Sequence, residues 1–130
     1  MFRIFLFIFL LIISNNSIAT IQGEKLICDD DRRGYNFISK DKVEISIVNL
    51  DDSNIVSFVY LYGLAENVIF IKQPETEFNK TKIIGWIFRR NLDYVSLNYE
   101  RGDLSRKFLW SCEITSLKEL ETRLNNKLNK

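Results

Sequence analysis

The sequence predicts a mainly β protein: an antiparallel meander of about eight short strands forming a small closed or nearly closed barrel, with a C-terminal amphipathic α-helix. Three observations carry this. Short runs of β-branched and aromatic residues follow one another from Glu24 to Ile114, separated by turn-forming residues and by no helical pattern. Two cysteines, Cys28 and Cys112, stand near the two ends of that region. After Thr115 the pattern changes to leucines at helical spacing. The expected organisation is a signal peptide over residues 1–19, a barrel domain over 20–114 and a helix over 115–130.

The chain opens on Met1-Phe2-Arg3, a short basic start, and an unbroken apolar run from Ile4 to Ile13. Polar Ser14, Asn15 and Asn16 follow, and Ser17-Ile18-Ala19 offers small residues at the −3 and −1 positions of a cleavage site. This is the layout of a secretory signal peptide cut after Ala19. The alternative is a retained anchor, but the apolar run is about half of the roughly 20 residues that span a bilayer as a helix. A lipoprotein is excluded, because Cys28 lies far beyond the run and bulky Ile27 precedes it. The expected location is periplasmic or secreted, with the membrane met only transiently through the signal peptide.

Glu24–Cys28 reads as a short strand, and Gly34–Ser39 as the next, with Tyr35 and Phe37 on one face. Lys42–Leu50 alternates Val43, Ile45 and Ile47 against Lys42, Glu44 and Ser46, the mark of a half-buried antiparallel strand. Asp51-Asp52-Ser53-Asn54 is a turn by composition. Ile55–Tyr62 is apolar on both faces, so something is expected to cover its second face. Asn67–Lys72 is a strand, and Gln73–Thr81, with the single proline Pro74, is the longest loop. Lys82–Arg89 places Ile84, Trp86 and Phe88 on one side. Tyr94–Glu100 sets Val95, Leu97 and Tyr99 against Ser96, Asn98 and Glu100. Arg101-Gly102-Asp103 turns into Ser105–Ile114, with Phe108, Trp110, Cys112 and Ile114 on one face. Ser116-Leu117-Lys118-Glu119 matches a capping box, and Leu117, Leu120, Leu124 and Leu128 then form one stripe. The stripe is expected to pack on the sheet; a coiled-coil dimer is the alternative, for which it is short.

In an oxidising compartment an even pair of cysteines is most simply one disulfide, Cys28–Cys112. Both cysteines point inward on the first and last strands, so the bond joins the sheet edges and favours closure. The alternative of two free thiols lacks a histidine to lower a thiol pKa and lacks a C-x-x-C pattern.

Asp29-Asp30-Asp31 raises the question of a metal site. A calcium loop requires oxygen ligands in fixed alternation and a terminal bidentate carboxylate. Asp29 and Asp31 fit the first two places, but Arg33 stands at the third and Lys40 at the last. A turn with local ion pairing, Arg32 and Arg33 as the nearest counter-ions, is the expected reading, with no metal and no cofactor. Catalytic residues are not expected. The chain contains no histidine, no G-x-S-x-G, no P-loop and no G-x-G-x-x-G. A carboxylate-based hydrolase built from residues that meet only in space is the third reading. No basic block suggests nucleic acid, and without Arg3 the formal charge of +1 becomes zero. Asn79-Lys80-Thr81 fits a glycosylation sequon, relevant only in a eukaryotic cell.

The strand aromatics are mostly expected in the core. A sharper expectation is an apolar pocket at one barrel mouth, with Trp86, Arg89 and Arg90 at a possible binding rim. The function expected is therefore an exported non-enzymatic binding protein for an unknown protein or a small apolar ligand. The alternative is an interaction subunit of an envelope complex, using the C-terminal helix or a sheet edge.

The signal peptide, Cys28, Cys112 and the strand spacing between them give an outline that resembles small exported bacterial β-barrel proteins, among them the MliC-type lysozyme inhibitors. The resemblance covers most of the mature chain and implies a small exported barrel. The S-G-x-x-Y loop of the inhibitors has no match here: the nearest turn reads Tyr62-Gly63-Leu64-Ala65-Glu66. No functional residue is carried over.

Overall fold

A computed structural model describes residues 21–78 and 80–129. The expected signal peptide lies outside the described residues, as does Asn79 of the sequon. Eight strands follow in order: β1 (Lys25–Cys28), β2 (Arg33–Phe37), β3 (Lys42–Asn49), β4 (Asn54–Leu64), β5 (Val68–Gln73), β6 (Lys82–Phe88), β7 (Asp93–Glu100) and β8 (Asp103–Thr115). Each pairs antiparallel with the next, and β8 returns to β1, closing the barrel. Helix α1 (Leu117–Leu128) follows. The Ser116 hydroxyl accepts from the Glu119 amide and caps it, as the sequence predicts. Among the described residues no helix is long and apolar enough to cross a membrane.

Closure is set at a girdle. The β8–β1 ladder runs over Cys112–Thr115 against Lys25–Cys28, with Cys28 opposite Cys112. The Cys28–Cys112 disulfide lies in this seam and bridges 84 residues. The β4–β5 ladder covers only Leu61–Leu64, and the β6–β7 ladder only Gly85–Ile87. Beyond the girdle the β3–β4 and β7–β8 hairpins continue as long arms, turned by residues 50–53 and by Arg101-Gly102 at positive φ. The lower mouth is the end where β1 begins; the upper mouth is the end of the two arms.

The interior is filled. Tyr35, Tyr94, Phe37, Ile71, Ile87, Val43 and Cys28 are fully buried. Gly85 faces inward, and a Cβ there would stand 2.7 Å from Tyr94 Cε1 and 2.8 Å from the Val95 carbonyl. The glycine makes room for the Tyr94 ring across the β6–β7 ladder.

Helix α1 lies on the outer side of β1–β4. Leu120 and Leu124 are buried with Ile27 and Val48, and Ile55 and Leu128 pack against them. A Cβ on outward-facing Gly34 would meet Leu120 Cδ1 at 2.8 Å. The leucine stripe is thus used within the chain. It covers only the Ile55 end of the second face of β4; Val59, also outward, stays 44% exposed.

Two bulges reset which side chains face in. In β8 an extra residue, Ser105, shifts the register with β7 between Asn98 and Tyr99. The Ser105 hydroxyl donates to the Asn98 carbonyl at 3.0 Å. In β6 Ile84 is the extra residue opposite the Ile71–Lys72 step. Tyr94 and Ile87 are in the core, whereas Trp86, Phe88 and Val95 point outward. The expectation that the strand aromatics lie mostly inside is corrected here for Phe70, Trp86, Phe88 and Tyr99.

Candidate functional site

The turn between β1 and β2 answers the question its three carboxylates raise. Asp29, Asp30 and Asp31 all have positive φ, at 55°, 52° and 66°. Aspartate tolerates this left-handed region better than most side chains. The turn fans the three carboxylates toward three cations. Asp29 meets Arg33 Nε at 3.6 Å. Asp30 accepts from Lys127 Nζ at 2.8 Å. Asp31 accepts from Arg123 Nη2 at 2.7 Å and from its Nε at 3.2 Å, a bidentate fork. Arg123 Nη1 also reaches Glu113 at 3.1 Å. The hydrogen bonds it donates to Asp31 and then to Glu113 hold the Arg123 guanidinium protonated well above its usual range. Two of the three counter-ions therefore come from α1. Arg32, expected as a partner, contributes its backbone instead: its amide donates to Asp29 and its carbonyl accepts from Val48.

At the upper mouth Arg33 continues inward, its guanidinium 4.2 Å from the Trp110 ring centre. Below it the rings of Trp110, Tyr94 and Tyr35 follow one another at centroid spacings of 5.3 and 5.2 Å. Burial pushes the Tyr94 phenol well above its ordinary range, and the Tyr35 phenol is raised for the same reason. Arg33, Asn98, Ser96, Phe108 and Trp110 line an open cleft of about 450 Å³ here.

The lower mouth is closed by Ile21 and Leu92, both packed on the core. A smaller apolar hollow of about 220 Å³ remains, lined by Leu26, Phe37, Ile69 and Ile114 with Glu24 and Arg89 bringing charge to it. The structure separates the three residues named for a rim. Arg89 lines this hollow, Arg90 lies in the β6–β7 turn, and Trp86 stands on the outer wall opposite Phe70 and Val95.

That outer wall carries the feature sequence reasoning missed. Phe70 pairs with Trp86, Trp86 with Val95 and Val95 with Leu109, so four apolar side chains form one unbroken row across β5–β8. Leu109 is 68% exposed. Phe88, paired with Val68, extends the row toward the lower mouth. The helix lies on β1–β4 and leaves this half of the barrel uncovered. One signal was present in the sequence: with Cys112 inward, strand alternation already places Leu109 outward.

Comparison with family models, with curated proteins and with solved structures finds no match to this chain.

Proposed function

We propose that the chain is an exported, non-enzymatic binding protein that meets its partner through the outer face of β5–β8. The row Phe70–Trp86–Val95–Leu109 carries the reading. Monomeric proteins seldom leave a contiguous apolar patch without a partner, and here the interior is filled while the apolar surplus is outside. The helix stripe, the other surface considered for assembly, is spent on Ile27 and Val48. Export to the periplasm or the medium, with cleavage after Ala19, is supported by the N-terminal pattern and by a disulfide of the kind oxidising compartments sustain. N-terminal sequencing of the recovered protein is expected to start at Thr20.

The test of the binding face is a photo-crosslinking side chain placed at Leu109 and, as a control, at Asp52 in the β3–β4 turn. In the exporting cell the first is expected to give a discrete adduct and the second none. Equal labelling from both positions would sink the reading.

A second reading rests on the lower-mouth hollow. Its size is below the roughly 300–1,000 Å³ of common ligand pockets, so it suits only a small apolar molecule near Arg89. Native mass spectrometry of the purified protein checks it: a retained small-molecule mass supports it, and the bare chain mass opposes it.

A further inference from the structure

From the charge that surrounds the outer row we infer that the partner is an anionic lipid surface; the inference rests on the β5–β8 face being the binding face. Residues 68–115, which build β5–β8, carry eight Lys and Arg against six Asp and Glu. Residues 21–67 and 116–130 together carry nine against eleven. The barrel is therefore basic on its uncovered half and acidic on the half that holds the helix. Attraction of the first and repulsion of the second orient the molecule at a negative surface with the apolar row toward it.

The local arrangement agrees with lipid better than with protein. Lys72, which pairs with outward-facing Leu61, and Lys107, which pairs with outward-facing Leu97, lie one step above the row toward the upper mouth. Lys82 stands 4.9 Å from the Tyr99 ring centre on the same side. Arg90 lies two residues beyond Phe88 at the other end. Lysine is depleted in the cores of protein interfaces. At a bilayer surface the same residue is favourable, because its stem lies along apolar surface while its ammonium meets the headgroups. Trp and Phe between such lysines suit the headgroup level. The β5–β6 loop adds Phe78, 88% exposed, two residues before Lys80. The result is peripheral attachment by a strand face, without spanning.

The experiment mixes the full chain with vesicles of phosphatidylcholine containing phosphatidylglycerol, or of phosphatidylcholine alone, and reads the bound fraction by sedimentation. Wild type is expected to bind the anionic vesicles, less as salt rises, and to bind the neutral ones weakly. The double variant Lys72→Glu/Lys107→Glu is expected to bind at least about 25-fold more weakly, at about fivefold per lysine removed. Trp86→Ser/Leu109→Ser is expected to weaken binding as well, with unchanged far-ultraviolet dichroism and a cooperative urea melt showing that it is folded. Lys25→Glu/Lys42→Glu, on the other half, is expected to bind as wild type does. All forms share the same N-terminal apolar segment, so equal binding by all of them assigns the binding to that segment and overturns the inference. Absence of binding to anionic vesicles also overturns it. If that absence accompanies a protein adduct at position 109, the lipid inference fails while the binding face stands; if position 109 gives no adduct either, both fail.

Discussion

Arg123 holds Asp31 with two of its nitrogens, at 2.7 and 3.2 Å, and so ties the C-terminal helix to the first turn of the barrel across 92 residues of chain. Arg123→Lys keeps the charge but loses the fork, and Asp31→Asn keeps a residue that accepts positive φ but loses the charge. Both groups are partly exposed, so solvent screening reduces the effect. Each variant is expected to lose about 1–2 kcal/mol in a urea melt. Amide exchange is expected to speed up in α1 before it does so in the girdle. Uniform loss of protection throughout the chain would contradict this latch.

The disulfide is expected to be the main staple. Linking residues 84 apart removes about 4–5 kcal/mol of denatured-state freedom in the chain-entropy model. Cys28→Ala/Cys112→Ala is expected to cost about 2–5 kcal/mol, a large share of the roughly 5–15 kcal/mol typical of a domain. An unchanged urea midpoint would show that closure does not depend on it.

Gly85→Ala is expected to cost about 1–3 kcal/mol, the range for overpacking a filled core. The added methyl meets both the Tyr94 ring and the Val95 carbonyl, and the backbone contact cannot swing away. Gly34→Ala is expected to cost less, because the atom it meets is the end of a Leu120 side chain. Thermal melts of the two variants side by side give the comparison, and the reverse order would refute it.

Tyr35 and Tyr94 set an alkaline limit. Their phenols are raised in the folded chain by burial, so between the ordinary value near 10 and the folded values the native state holds more protons than the unfolded one. Their contribution is complete below about pH 10 and is lost as pH rises beyond it. Phenolate absorbance is expected in two stages, with these two rings ionising together with unfolding. Tyr35→Phe/Tyr94→Phe is expected to remove the second stage. Smooth titration of all five tyrosines in a folded protein would rule this out.

The strand sequence, the closed meander and the capped helix were legible because each rests on local chemistry: alternation in β3, turn residues at 51–54 and 101–103, and the Ser116–Glu119 cap. The inward faces of β6 and β7 were not. A hairpin turned at Arg101-Gly102 without irregularity sets Trp110 opposite Asp93, which would turn Val95 and Leu97 inward. Ser105 adds one residue to β8, so Trp110 lies opposite Tyr94 instead, and Val95 and Trp86 turn out. Strand period is two, so one extra residue reverses every side chain beyond it, and nothing in the local composition marks Ser105 as that residue. The counter-ions of the acidic turn were hidden for a different reason. Arg123 and Lys127 are remote in sequence, whereas Arg32 and Arg33 are adjacent.

The seam between β1 and β8 also dictates a timetable. The first strand made waits for the last one to complete its pairing, and the helix that clasps the first turn is made later still. No partial chain lacking β8 can close the barrel or form the bond between Cys28 and Cys112. Until β8 is present, one edge of β1 pairs β2 while the other stays open. An open β1 edge over Lys25–Cys28 is a template for wrong pairing in any chain that has not yet made β8.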